Sequence, residues 1–205
     1  MVKVKICGNT NLDDAVAAVQ DGADAVGCVF YAKSPRAVDP KTAAEIISRL
    51  PPFVVPVGVF VNEDLSVVRR IMEECNIPLA QLHGEESPQY CAELGRSVIK
   101  AIRIRDSRDL ERMTTYQVSG FVLDAFVEGK PGGTGVTIDW DLAAEAQMLG
   151  PIILAGGLTP DNVLEAVRQV RPYAVDVTSG VEASPGKKDH AKVRAFIANA
   201  KSWTW

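Results

Sequence analysis

The chain has 205 residues, 47% of them hydrophobic, with a formal charge of -4 and a pI near 5.3. That length and apolar content predict one globular domain over 1–205, and the acidic balance excludes a nucleic-acid-tracking surface, which needs a basic excess. No apolar run approaches the roughly 18 residues of a spanning helix, and Cys7, Cys28, Cys75 and Cys91 lack metal-ligand spacing, so the reading is a cytoplasmic protein with reduced thiols, no membrane partner and no metal.

Short apolar strands alternate with amphipathic helices from end to end. VKVKIC at 2–7 reads as a strand, and a helix opens near Asn11 with Leu12, Ala15, Val16 and Val19 on one face and Gly22 at its close. Strand 25–30 precedes the loop YAKSPRAVD and a helix over 40–50. Strand 54–61 pairs with helix 65–74, strand 79–82 with helix 88–94, and strand 98–104 with helix 107–116. Strand 121–124 runs into a glycine-rich loop before helix 140–149. The apolar run 152–155 ends on Gly156 and Gly157; Thr159 is placed as N-cap and Pro160 at the first position of a helix whose buried stripe is Val163, Leu164, Val167 and Val170. The strand YAVDVTS at 173–179 ends on Ser179 and Gly180, and a last helix covers 190–200.

Eight such units without a linker predict an α/β fold, a single (β/α)8 TIM barrel with a closed parallel sheet; an open doubly wound sheet is the competitor. At about 26 residues per unit only two long loops remain, 31–39 and 125–138, and these are expected to be functional. Chemistry in such barrels sits at the C-terminal ends of the strands, which selects Cys7, His83, Asp124 and Ser179, with Arg36 on the loop after the second strand, 31–39. Strand alternation sets Lys5 with Cys7, Gln81 with His83, and Asp176 with Thr178 on common faces. Strands one and eight are neighbours in a closed barrel, so Lys5 and Asp176 are expected to meet as a buried ion pair, with a structural or a catalytic role.

Each of these residues also has a plain reading. Cys7 is equally an apolar filler, Asp124 a cap or turn residue, His83 a ring satisfied by backbone, and Arg36 a solvated side chain on a flexible loop. The glycine pairs are either ordinary tight turns or two halves of an anion cradle, because glycine lets backbone N–H groups approach an oxyanion and the helix N-terminus beyond it adds partial positive charge.

The series VKICG at 4–8, DGADAVG at 21–27, KSPR at 33–36, VGVFVN at 57–62, QLHGE at 81–85, LDA at 123–125, GGTG at 132–135, LAGGL at 154–158, DVTSGVE at 176–182 and PGKKD at 185–189 resembles the phosphoribosylanthranilate isomerase family over essentially the whole length. Asn9, Cys28 and Thr178 depart from the commoner residues. The resemblance implies an Amadori rearrangement of a phosphorylated small molecule in tryptophan biosynthesis, with Cys7 as base, Asp124 as acid and Arg36 on the substrate carboxylate. It further implies phosphate held by Gly133, Gly135, Gly156, Gly157, Ser179 and Gly180, and His83 and Asp176 in contact with substrate or supporting the site. A cofactor-free monomer or homodimer is expected. Three rivals stay open: a Schiff-base lyase using Lys5 or Lys100, a phosphate-ligand binding protein, and the histidine-pathway isomerase, which is expected to use two carboxylates.

Overall fold

A computed structural model describes residues 1–125 and 139–203. Eight strands, β1 (Lys3–Ile6), β2 (Ala25–Val29), β3 (Val55–Phe60), β4 (Leu79–Leu82), β5 (Ser97–Ile104), β6 (Gly120–Ala125), β7 (Ile152–Leu154) and β8 (Ala174–Val177), pair in sequence order. β8 then returns to β1 in parallel register from Lys3 opposite Ala174 to Ile6 opposite Val177. That pairing closes the barrel and removes the doubly wound alternative. Around it lie α1 (Leu12–Gln20), α2 (Pro40–Ile47), α3 (Leu65–Glu74), α4 (Pro88–Glu93), α5 (Ser107–Met113), α6 (Trp140–Glu145), α7 (Val163–Val170) and α8 (His190–Lys201).

Most helices start where a short polar side chain can satisfy the first free N–H groups. Asn11, Asp39, Asp64, Ser87, Asp106, Asp139 and Asp189 each accept from backbone N–H groups of the next turn. The seventh helix departs from expectation: it begins at Val163, not after Thr159. Asn162 accounts for the delay, its Oδ1 accepting from Thr159 N at 2.8 Å while its Nδ2 donates to the Gly157 carbonyl at 2.9 Å. Pro160 therefore lies in a tied turn ahead of the helix. Helices α2 and α5 end short of 50 and 116 because their last residues tighten into three-residue turns, Leu50 N to Ile47 O and Tyr116 N to Met113 O, both 3.1 Å. The stretch 146–149 is a 3-10 turn for the same reason. The eighth strand stops at Val177, and a small hairpin, β9 (Glu182–Ser184) and β10 (Lys187–Lys188), comes after it where only loop was expected.

Side chains alternate as a two-residue period requires. Val4, Ile6, Phe121, Leu123, Ile152, Leu154, Val175 and Val177 point outward into the helices, whereas Val57, Ile99, Ala101, Val122, Ile153 and Ala174 fill the barrel. Lys5 and Asp176 are among the inward residues and form the expected pair, Nζ to Oδ2 at 2.9 Å, both nearly buried. Burial opposes the ammonium, yet the Asp176 carboxylate and the Cys7 sulfur beside it hold the Lys5 pKa above its ordinary value. Lys5→Met leaves a carboxylate without its counter-charge and should cost about 3–5 kcal/mol, read as a lower denaturant midpoint. Adding Asp176→Leu should recover most of that loss; a double variant as unstable as Lys5→Met would refute an electrostatic origin.

Candidate active site

At the C-terminal mouth of the barrel a cavity of about 390 Å³ is lined by Cys7, Arg36, His83, Asp124, Gly156, Gly157, Asp176, Ser179 and Gly180. These are all the site residues expected from the sequence except Gly133 and Gly135, which lie outside the described residues, as does most of the second long loop.

Cys7 stands one residue past β1, its N–H bonded to the Val177 carbonyl at 2.9 Å, and is 5% exposed. Cations approach it from two sides, Lys5 from below and Lys188, whose Nζ donates to the Cys7 carbonyl at 2.6 Å. The other three thiols are in different surroundings: burial pushes Cys28 up to about 12 and raises Cys75 and Cys91 as well, which suits inert packing. All four cysteines are free.

Asp124 lines the same cavity as Cys7, from β6, and is 6% exposed. The His83 Nε2 lies 3.3 Å from its Oδ2, and the other ring nitrogen, Nδ1, lies 2.9 Å from Gln81 Nε2. An amide nitrogen can only donate, so the network assigns Nδ1 as acceptor and leaves the ring proton on Nε2, aimed at Asp124. Both ring nitrogens are engaged. His83 is thus arranged to orient the carboxyl, and Gln81 to orient His83. Two buried acceptors lining the same cavity, Gln81 Oε1 and Asp176 Oδ1, have no partner among the described residues.

The glycine turns owe their shape to what a side chain would forbid. Gly156 and Gly157 both adopt left-handed backbone, at φ 76° and 64°, a succession that L side chains rarely tolerate. Gly180 packs so closely on the turn after β7 that a Cβ would run into the Leu158 carbonyl oxygen, so the two turns touch backbone to backbone. Gly180→Ala must push them apart and should cost about 1–3 kcal/mol in stability, with weaker binding of inorganic phosphate measured by competition. Unchanged phosphate affinity in a destabilised variant would detach this turn from anion binding.

Arg36 corrects the expectation of a flexible loop. The loop is bonded back to β2 through Val38 N to Val29 O at 2.9 Å, and the guanidinium forms a fork with Glu182, Nε to Oε1 at 2.8 Å and Nη2 to Oε2 at 2.7 Å. Hydrogen bonding to Glu182 raises the Arg36 pKa further above its ordinary value. Glu182 and Lys188 were not selected from the sequence, although DVTSGVE and PGKKD carry them; an acid and a lysine in surface-like turns give no local sign that they are nine-tenths buried.

The profile of the family N-(5'phosphoribosyl)anthranilate (PRA) isomerase matches residues 4–199. The N-(5'-phosphoribosyl)anthranilate isomerase of Pelobacter propionicus is 57% identical over 201 residues, covering 98% of this chain and 96% of that protein. The chain belongs to the N-(5'-phosphoribosyl)anthranilate isomerase family. A crystal structure of the Thermotoga maritima enzyme superposes with a TM-score of 0.93 at 45% identity, covering 99% of this chain and 100% of that one. A phosphoribosyl anthranilate isomerase in complex with reduced 1-(o-carboxyphenylamino)-1-deoxyribulose 5-phosphate does so at 0.90 and 45%, with the same coverage.

Membership of the phosphoribosylanthranilate isomerase family bears on the rival readings, and so do the lysines. Lys5 is held by Asp176, and Lys100 is turned away from the barrel interior, its Nζ donating to the carbonyls of Leu82, Gly84 and Ala101 and to Glu86 within 3.1 Å. Neither presents a free amine to the cavity. In the cavity that Asp124 lines, the residue just past β1 is Cys7, a thiol instead of a second carboxylate. Among the described residues no group of three or more His, Cys, Asp or Glu side chains could hold a metal ion, and no helix is long and apolar enough to cross a membrane.

Proposed function

We propose that this chain isomerises N-(5-phosphoribosyl)anthranilate to 1-(2-carboxyphenylamino)-1-deoxyribulose 5-phosphate in tryptophan biosynthesis. Family membership carries the reaction. The juxtaposition of Cys7 and Asp124 in one cavity, each with its own orienting partners, supports the roles within it.

In the proposed sequence Asp124 gives a proton to the furanose ring oxygen as its bond to C1 breaks, and the anilino nitrogen's lone pair forms the C1 imine. Cys7, as thiolate, takes the C2 proton; the electron pair moves into the C1–C2 bond and onto nitrogen, giving an enolamine that ketonises at C2 with proton uptake at C1. The base works best amid cations, which Lys5 and Lys188 supply, and the acid is steered by the Nε2 proton of His83. Phosphate is assigned to the turns at Gly156–Gly157 and Ser179–Gly180, together with Gly133 and Gly135. Arg36 takes the aromatic carboxylate, and the unpartnered oxygens of Asp176 and Gln81 are suited to accept ribose hydroxyls.

The reaction as read needs no cofactor, since imine enolisation requires only an acid and a base. Four free, buried thiols support a cytoplasmic setting, and we assign a monomer or homodimer; monomers of the dimeric Thermotoga maritima relative have been crystallised. The decisive assay generates phosphoribosylanthranilate in place from anthranilate and phosphoribosyl pyrophosphate and monitors loss of its fluorescence on adding the protein. Persistence of the signal at high protein concentration would overturn the reading.

A further inference from the structure

We infer that Glu182 and Lys188 are positioning residues that aim the Arg36 guanidinium, and thereby make the site selective for a substrate bearing a carboxylate on its aromatic ring. The inference rests on the isomerase reading above and concerns how that site chooses its substrate.

A guanidinium presents five N–H donors on two usable faces, a side-on pair from Nε and one terminal nitrogen and an end-on pair from the two terminal nitrogens. Glu182 occupies the side-on face completely, through Nε and Nη2. Nη1 has no acceptor among the described residues, and Arg36 lines the cavity with its side chain 16% exposed. An incoming carboxylate therefore finds only the end-on face, in the plane fixed by Glu182. Bidentate pairing is directional, so fixing that plane also fixes the line along which the aromatic ring, and with it the anilino nitrogen and C1, enter the site.

Glu182 is itself held rigidly. Its side chain is 4% exposed, and Oε1 also accepts from Lys188 Nζ and from the Gly186 N–H, both at 3.3 Å. Lys188 is fully buried and spends its remaining donors on the Cys7 carbonyl at 2.6 Å and the Thr178 carbonyl at 3.2 Å. Its own N–H is anchored on Asp14 of α1 at 2.9 Å. One ammonium thus ties the carboxylate that orients Arg36 to the backbone that carries the proposed base. Two cations around one carboxylate also leave the cluster attractive to a second anion, which a simple Arg–Glu pair would not be. A surface salt bridge would need none of this burial.

The test compares two substrates made by condensing ribose 5-phosphate with anthranilate or with aniline, the second lacking only the carboxylate. For Glu182→Gln we expect kcat/KM on the anthranilate adduct to fall tenfold or more, mainly through KM, with less than about threefold change on the aniline adduct. Glu182→Asp, which keeps the charge beside Lys188 but withdraws the oxygens from Arg36, should shift selectivity in the same direction and guards against misfolding of the amide variant. In an Arg36→Met background Glu182→Gln should change selectivity no further, because its effect passes through the guanidinium. Equal losses on both adducts, or an undiminished effect of Glu182→Gln without Arg36, would overturn the inference while leaving the isomerase intact. A wild-type protein inert toward both adducts would instead remove the isomerase reading and the inference with it.

Discussion

Cys7→Ser should lower turnover of phosphoribosylanthranilate by about a hundred- to ten-thousandfold while leaving affinity for a reduced product analogue nearly unchanged. The hydroxyl replaces the sulfur at similar size, so packing between β1 and β8 and the bonds from Lys188 to the Cys7 carbonyl persist. What disappears is the thiol, since a serine hydroxyl is by nature a far weaker acid than any thiol and cannot be maintained as a base even amid cations. Saturation kinetics and analogue titration together decide the point: a fall in kcat with constant dissociation constant marks a group used in the transition state. If Cys7→Ser turned over at a near-normal rate while His83→Asn abolished activity, the base would be His83.

Asp124→Asn should produce a loss of the same order, with the same separation of turnover from binding. The amide retains the shape of the carboxyl and its place beside His83 but has no proton to yield to the departing ring oxygen. The two variants diverge once the ring is open. A substrate that is already acyclic bypasses the acid, so an open-chain imine analogue should be enolised by Asp124→Asn far better than by Cys7→Ser. Equal impairment of both variants on the acyclic analogue would place Asp124 in the proton abstraction as well.

The barrel was legible because its signal is repeated: each apolar run near five residues long, succeeded by an amphipathic stretch with a polar cap, restates the same instruction, and one misplaced boundary does not disturb the others. The inward pairs Lys5 with Cys7 and Asp176 with Thr178 were legible for a similar reason, since alternation is a property of strand backbone. Thr159 misled because its capping chemistry is real but serves a turn locked by Asn162, a competition between two local motifs that spacing does not rank. Glu182 and Lys188 escaped for a deeper reason. Their burial arises from the hairpin β9–β10 folding across the barrel mouth, a tertiary event with no periodic trace, and charged residues in Pro-Gly turns ordinarily face water.

The closing register of β1 against β8 has a consequence for how the protein comes into being. Of the eight strands β1 is synthesised first and has only β2 beside it until the chain has grown past Val177, and the ammonium that grips Cys7 arrives later still, at position 188. The proposed base is thus the earliest part of the site to be synthesised and among the last to be assembled. Chains interrupted before β8 would present an open sheet with an unpaired edge on β1, a form suited to recognition by folding helpers and proteases, and chains interrupted between Val177 and Lys188 would still lack a finished catalytic mouth. Activity in this architecture therefore doubles as a report that translation passed Lys188.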